Sequence, residues 1–141
     1  MDQNQAKQGM VVRADFRGDK VGVILDVADP RAWTDTLAFP GRAPGADEVA
    51  AHLKDCRERG LTFAGTVPVR WCFGRVYWEH TANLSAVATQ DQLDRALEWT
   101  NEHHARAEGP AWERDLSAAL DEIIALDKAA DASEAAYAPT A

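Results

Sequence analysis

Five side chains suited to chemistry or ligand binding lie within one short stretch, residues 67–80, VPVRWCFGRVYWEH. They are two arginines, a tyrosine, a carboxylate and an imidazole: Arg70, Arg75, Tyr77, Glu79 and His80. If residues 73 and 74 form a two-residue turn, Arg70 faces Tyr77 across two strands, and Glu79 follows on the same face. An arginine over a tyrosine ring and within reach of a carboxylate predicts an anion-recognition or acid–base site. The same residues also suit an ordinary surface ladder of ion pairs and aromatic rings, and this alternative stays open.

The stretch that carries these residues is predicted to be a β-hairpin. In the register of a two-residue turn, the pairs on one face are all apolar: Trp71 with Val76, and Val69 with Trp78. A single long strand would change from apolar to polar halfway along that face, unless Gly74 forms a bulge that resets the register. The hairpin is the preferred interpretation, and one bulged strand is the alternative.

Two histidines and two cysteines raise the question of a metal site or a thiol nucleophile. His52 and Cys56 are four residues apart on one predicted helix, and Cys72 and His80 belong to the hairpin. Structural zinc sites normally use two closely spaced ligand pairs, and the sequence has none. Cys72 and His80 lack a third, orienting group, and no GxSxG, P-loop, GxGxxG or HExxH motif is present. We therefore predict no catalytic residue, no metal and no cofactor.

An earlier hairpin is predicted over residues 10–27. With residues 18 and 19 as its turn, one face collects four apolar pairs: Phe16 with Val21, Ala14 with Val23, Val12 with Leu25, and Met10 with Val27. Glycine in the first turn position favours a type II′ turn, whose twist matches that of the strands.

In the middle of the chain, we predict two short elements followed by one longer helix. The Asp-Pro pair at 29–30 predicts a one-turn helix that ends near Trp33, with the aspartate as its cap. Residues 34–39 predict a short third strand. Residues 46–59 predict a helix with acidic residues at its start, arginines at its end and Gly60 as its left-handed terminator.

The last third predicts a pair of helices. Thr89 and Gln92 form a capping-box pattern at the start of a helix over 90–107, and the Gly-Pro pair at 109–110 separates it from a second helix over 111–129. Their apolar spacing suits an antiparallel pair.

Together these elements predict an α+β fold with a mostly antiparallel sheet of about five strands, in the order β-β-β-α-β-β-α-α. One domain is expected over 10–129, made of a sheet with one helix (10–88) and an acidic helical pair (89–129). A flexible N-terminus (1–9) and a disordered, alanine-rich tail (130–141) flank it.

Charge is distributed unevenly along the chain, whose net charge is −8. Residues 1–60 carry nine Lys/Arg and ten Asp/Glu, whereas residues 86–141 carry four and twelve. Direct binding to nucleic acid is disfavoured, because phosphate neutralisation requires a basic surface. An acidic helical region suits a basic partner instead.

Composition also bears on location. No apolar run reaches the roughly 18 residues that a membrane span needs, and the first residues lack a signal-peptide pattern. Two cysteines without a disulfide framework favour the cytoplasm, and the abundance of alanine and arginine fits a GC-rich bacterial genome.

These observations favour a small, acidic, non-enzymatic protein–protein interaction module: an inhibitor, immunity-type or adaptor protein that acts on a basic or nucleic-acid-handling partner. The alternative is a small-ligand-binding protein or modest enzyme that uses the polar, aromatic side of the hairpin. A homodimer through a sheet edge or the helical pair fits either hypothesis.

Overall fold

The computed structural model describes the backbone of residues 1–2 and 4–137, and their side chains up to residue 134. Residues 1–87 form one compact unit, called here the sheet unit, and the residues from 88 onward form a second, the helical unit. The strands are β1 (Val11–Arg13), β2 (Gly22–Ile24), β3 (Thr66–Trp71), β4 (Val76–His80) and β5 (Ser85–Ala88), and the helices are α1 (Ala46–Glu58), α2 (Gln90–Glu102) and α3 (Pro110–Tyr137).

The α+β fold class is confirmed, with one antiparallel sheet in the order β4-β3-β2-β1-β5. The element order is β-β-α-β-β-β-α-α, so the predicted strand over 34–39 is wrong. That segment turns back on itself, because the Thr36 hydroxyl donates to the Trp33 carbonyl (2.9 Å) and the Phe39 amide donates to the Thr36 carbonyl (3.1 Å). The strand missing from the prediction is β5, which lies between the second hairpin and the predicted helix over 90–107.

The first hairpin has a different register from the predicted one. Val11 lies opposite Val23 and Val12 opposite Gly22, because a 3₁₀ turn at Asp15–Arg17 lengthens the connection between the strands. Val12 therefore shares its face with Ile24 rather than with the odd-numbered residues of β2.

The second hairpin is confirmed as a hairpin, but its register differs by one residue. Arg70 lies opposite Val76 and Val69 opposite Tyr77, since the connection has three residues, 72–74. Cys72 (φ 44°) and Phe73 (φ 64°) both adopt the left-handed conformation. The Cys72 amide is held there by a 2.6 Å hydrogen bond to the carbonyl of Val21.

Both faces of the sheet are covered. One face carries an apolar cluster of seven buried residues: Val12, Ala14, Ile24, Val67, Val69, Trp71 and Leu84. Met1, Ala6 and Met10 pack against it, so the segment expected to be flexible contributes to the core, with Gln3 outside the described residues. On the other face Leu25 packs with Trp33, Phe39 and Val49.

Two of the predicted helix-end signals are present in the structure. Asp29 accepts a hydrogen bond from the Arg31 amide (2.9 Å) at the start of the 3₁₀ turn Pro30–Trp33. Helix α1 is followed by Gly60 in the left-handed conformation (φ 69°). The residue types at these two positions therefore mark where the 3₁₀ turn begins and where α1 ends.

In the helical unit, α2 and α3 run antiparallel. The capping box is confirmed, because the Thr89 hydroxyl accepts from the Gln92 amide (3.1 Å) and the Gln92 side chain accepts from the Thr89 amide (3.0 Å). The apolar seam is made of fully buried residues from both helices: Leu93, Ala96, Thr100, Trp112, Leu116 and Leu120.

The bounds of these helices differ from the predicted ones. Helix α2 ends at Glu102 rather than near 107, and α3 continues to Tyr137 rather than ending at 129. Residues 138–141 of the predicted disordered tail lie outside the described residues. Across the part of the chain that the structure describes, none of the helices combines the length and apolar character needed to cross a membrane.

Candidate functional site

The five residues predicted as a site are divided between the two faces of the sheet. Because of the one-residue change in register, Tyr77 and Glu79 lie on the face of Trp71, whereas Arg70 lies on the opposite face. The predicted cross-strand pair of Arg70 and Tyr77 is therefore wrong. His80 lies opposite Thr66 at the end of β4 and is exposed.

Glu79 is buried in a network that is centred on one of its carboxylate oxygens. Its Oε1 accepts from the indole N–H of Trp71 (3.2 Å) and forms an ion pair with the Arg17 guanidinium. Arg17 also lies over three aromatic rings, with its Cζ 4.6 Å from the Tyr77 centroid, 4.9 Å from that of Phe16 and 5.7 Å from that of Trp71. Glu79 itself is only 5% exposed, so this cluster holds the sheet and its first loop together rather than presenting an acid to a ligand.

A second set of arginines lines an open groove at the turn end of the second hairpin. Arg31 comes from the 3₁₀ turn Pro30–Trp33, Arg70 from β3, and Arg75 from the position just before β4. We call this the arginine groove. Its volume is about 670 Å³, and its other polar lining residues are Thr34, Asp35, Thr36 and Tyr77.

The three guanidinium groups differ in their partners. Arg31 is held by Asp29 through its Nε (3.1 Å to Oδ2) and a terminal nitrogen (2.7 Å to Oδ2), which raises the pKa of Arg31 and lowers that of Asp29. The Arg75 guanidinium lies beside the Tyr77 hydroxyl and lowers its pKa. Burial and then repulsion from Arg31 lower the pKa of Arg70, while attraction to Asp29 acts in the opposite direction.

Arg70 shares a carboxylate with Arg31, because Asp29 is paired with Arg31 and attracts Arg70 from a longer distance. Among the described residues, no carboxylate lies within ion-pair distance of its guanidinium, and its ring neighbour is Phe73, 5.7 Å from Cζ to centroid. The groove therefore holds a partly buried positive charge that Asp29, already paired with Arg31, offsets only in part.

A separate charged surface lies on α2. Four carboxylates recur every three or four residues and so share one side of the helix: Asp91, Asp94, Glu98 and Glu102. This side is opposite Leu93, Ala96 and Thr100, which are fully buried in the seam. We call it the acidic face of α2.

Both charge and an exposed aromatic ring mark this face. Arg95 pairs with Asp91 (3.1 Å) at one end, whereas Glu98 and Glu102 form no ion pair within the described part of the chain. Trp99 borders the carboxylates, is 47% exposed and stacks on His103 with the ring centroids 4.1 Å apart.

The acids of α3 are arranged differently. Successive helical residues turn by about 100°, so Glu113, Asp115 and Asp121 point in three directions around α3. Asp115 is paired with His104 (2.6 Å), and Asp127 with Arg95 (3.2 Å). The acidic row is thus a property of α2 and not of both helices.

The histidines and cysteines do not gather. The Cys56 thiol lies 3.5 Å from His52 Nε2 on α1, and Cys72 is buried in the turn of the second hairpin. In residues 1–2 and 4–137, no group of three or more His, Cys, Asp or Glu could hold a metal ion.

Sequence reasoning missed two residues that shape these surfaces, Arg17 and Arg31. Each residue is distant in sequence from the second hairpin and reaches it from a 3₁₀ turn, so no spacing pattern could reveal the contact. The Asp29 cap was a weak signal for Arg31, because it fixes the turn from which that side chain projects.

Comparisons of this chain with protein-family models, with curated proteins and with solved structures found no match. Function is therefore inferred from two features of the structure, the arginine groove and the acidic face of α2.

Proposed function

We propose that this chain is a small, non-enzymatic protein–protein interaction module, and that the acidic face of α2 binds a basic partner. The inhibitor, immunity-type and adaptor roles all fit this reading. The observation that carries it is the one-sided row of carboxylates on α2, placed opposite the apolar seam and bordered by the exposed Trp99.

Charge supports the assignment of the contact to this helix. Residues 1–87 carry eleven Lys/Arg and eleven Asp/Glu, whereas residues 88–141 carry four and twelve, so the whole net charge of −8 belongs to the second region. The electrostatic potentials of like charges add at the surface when the charges are closer than the Debye length, which is about 8 Å at physiological ionic strength. A row of this kind attracts a basic surface and speeds encounter with it.

The spacing of the row indicates the class of partner. Carboxylates four residues apart on a helix repeat about every 6 Å along its axis. Proteins that handle nucleic acid carry Lys and Arg side chains arranged along a phosphate backbone, and a regular row of carboxylates suits such a surface. Trp99 supplies the kind of large, partly exposed ring that dominates the energy of many interfaces.

A matched pair of variants tests this proposal. The first neutralises the row with Asp94→Asn, Glu98→Gln and Glu102→Gln. The control removes the same charge from α3 and keeps the row, with Glu113→Gln, Glu122→Gln and Asp131→Asn. Partners are captured from the host's lysate with the wild-type chain and identified by mass spectrometry, and the affinity of each for the three proteins is then measured at low and high salt.

We expect a basic partner whose affinity drops at least tenfold for the α2 variant, because each charge-assisted contact contributes about 1.5–3 kcal/mol. Affinity for the α3 variant stays close to that of the wild type. Equal losses for the two variants would mean that net charge, and not this face, governs binding. A partner that binds all three proteins alike would refute the proposal.

A further inference from the structure

We propose that the arginine groove is a binding site for a compact, multiply charged anion, of which the phosphate group of a small molecule is the favoured example. This site lies in the sheet unit and is independent of the acidic face of α2. Its three guanidinium groups come from Arg31, Arg70 and Arg75.

Arg70 is placed at the centre of the site. Its backbone belongs to β3, which pairs with β2 on one side (Val23 opposite Arg70) and β4 on the other (Val76 opposite Arg70). The interior strand fixes the backbone of Arg70, so a ligand has only the side-chain torsions of its guanidinium to order. Its partial burial, together with repulsion from Arg31, favours an anion that replaces the lost hydration.

Arg31 and Arg75 flank this centre. Asp29 occupies Nε and one terminal nitrogen of Arg31, which fixes the direction of the guanidinium while the other terminal nitrogen remains able to donate. Arg75 shares its guanidinium with the hydroxyl of Tyr77, a weak partner that an anion can outcompete.

The carboxylates near the groove do not cancel its charge. Asp29 is paired with Arg31 and also attracts Arg70, and Asp35 accepts a hydrogen bond from the Gly41 amide (2.8 Å). Three guanidinium groups against these two carboxylates leave an excess of one positive charge. The sheet unit as a whole carries equal numbers of positive and negative residues, so this excess is local to the groove.

The chemistry of the lining suits an anion with several oxygen acceptors, of which phosphate is one. Planar guanidinium groups present parallel N–H donors that match two oxygens of a phosphate or carboxylate. The hydroxyls of Thr34 and Thr36 already donate to backbone carbonyls, so the arginines supply the donors. A volume of about 670 Å³ admits a small molecule attached to that phosphate, since ligand sites span about 300–1,000 Å³.

Isothermal titration calorimetry on the full chain tests the site with three probes: inorganic phosphate, pyrophosphate and citrate. We expect pyrophosphate to bind with a stoichiometry of one, more tightly than phosphate, and with an affinity that falls as salt rises. Citrate carries carboxylates only, so tighter binding of citrate than of pyrophosphate would overturn the choice of phosphate.

Matched arginine variants locate the binding. Arg70→Gln should weaken pyrophosphate binding about tenfold or more, whereas Arg57→Gln, which removes an exposed arginine from α1, should leave it unchanged. Arg70→Lys keeps the positive charge but lacks the planar guanidinium with its parallel N–H donors, and should give an intermediate loss of affinity. If Arg70→Gln fails to fold, Arg75→Gln at the exposed rim serves instead.

The NMR signals of the arginine Nε–H groups provide a second readout. Titration with pyrophosphate should shift those of Arg31, Arg70 and Arg75 and leave that of Arg57 in place. Equal affinity in the Arg70→Gln, Arg75→Gln and Arg57→Gln variants, or no binding of pyrophosphate at millimolar concentration, would overturn the proposal. The variant that neutralises the acidic face of α2 should bind pyrophosphate as the wild type does.

Discussion

The sheet unit and the helical unit differ in their balance of charge. The sheet unit has equal numbers of acids and bases, and some of them form ion pairs, such as Glu79 with Arg17 and Glu48 with Arg42. In the helical unit the acids outnumber the bases twelve to four, and a row of them lies on the outer side of α2. The buried carboxylate of Glu79 is therefore part of the packing of the first region, whereas we expect the stability of the second not to depend on the carboxylates in this exposed row.

The helical unit can carry this excess because its stability comes from an apolar seam. Leu120 is fully buried there, so Leu120→Ala should lower the free energy of unfolding by about 2–5 kcal/mol through lost contacts and a residual cavity. Urea unfolding followed by circular dichroism gives the size of the loss. Hydrogen exchange resolved by peptide should locate it in α2 and α3.

Leu126 offers the control on the same helix, since it is 61% exposed. Leu126→Ala should change stability by less than about 0.5 kcal/mol. Similar losses for the two variants would show that the seam is not what stabilises this unit.

The sheet unit depends on close packing at one glycine. A Cβ at position 22 would lie 2.5 Å from Cγ1 of Val69 and 2.8 Å from the Trp71 ring. Gly22→Ala should therefore cost about 1–3 kcal/mol through overpacking. The matched control is Gly74→Ala, because a Cβ there approaches no atom closer than the Trp71 carbonyl at 3.8 Å. Wild-type stability of Gly22→Ala in the same urea experiment would contradict this packing.

The contrast in charge use is tested directly by two isosteric changes. Glu79→Gln keeps an acceptor for the Trp71 indole but leaves Arg17 without its counterion, and should cost about 1–2 kcal/mol. Glu98→Gln on the acidic face of α2 should lie within about 0.5 kcal/mol of the wild type. Thermal unfolding of both proteins measures the difference, and equal effects would remove the distinction between the units.

The smallest expected effect concerns acid pH. Hydrogen bonds from Arg42 and the Gly45 amide lower the pKa of Glu48 from 4.5 to about 2. Since the folded pKa is the lower one, the stabilising contribution is full above pH 4.5 and is lost as the pH falls toward 2. An NMR titration of the side-chain carboxyl should show this, and Arg42→Gln should raise the midpoint whereas Arg57→Gln should not. An unchanged midpoint in Arg42→Gln would rule out the guanidinium as the cause.

Features encoded by neighbouring residues were predictable from the sequence. The capping box of Thr89 and Gln92, the terminating Gly60 and the Asp29 cap each act within one helical turn, and each is present. The strands of both hairpins were also found, since alternation of apolar residues marks a strand whatever it pairs with.

Register was not predictable, because it depends on the length of the connecting turn. The turn of the second hairpin places Cys72 and Phe73 in a left-handed conformation that neither residue type favours, so no local signal announced a third turn residue. One residue of slip was enough to separate Arg70 from Tyr77 and Glu79. The arginine groove was hidden for a related reason, since Arg31 meets the hairpin only through tertiary packing.

The left-handed turn at Cys72 and Phe73 has a consequence for how this chain tolerates change. Two adjacent residues with positive φ angles carry a backbone cost that glycine or asparagine would largely avoid. Drift or random mutagenesis selected for stability alone should therefore enrich Gly and Asn at these two sites. A second experiment would select the same library for function. If Cys72 and Phe73 are retained there, their side chains are the reason that the strained turn persists.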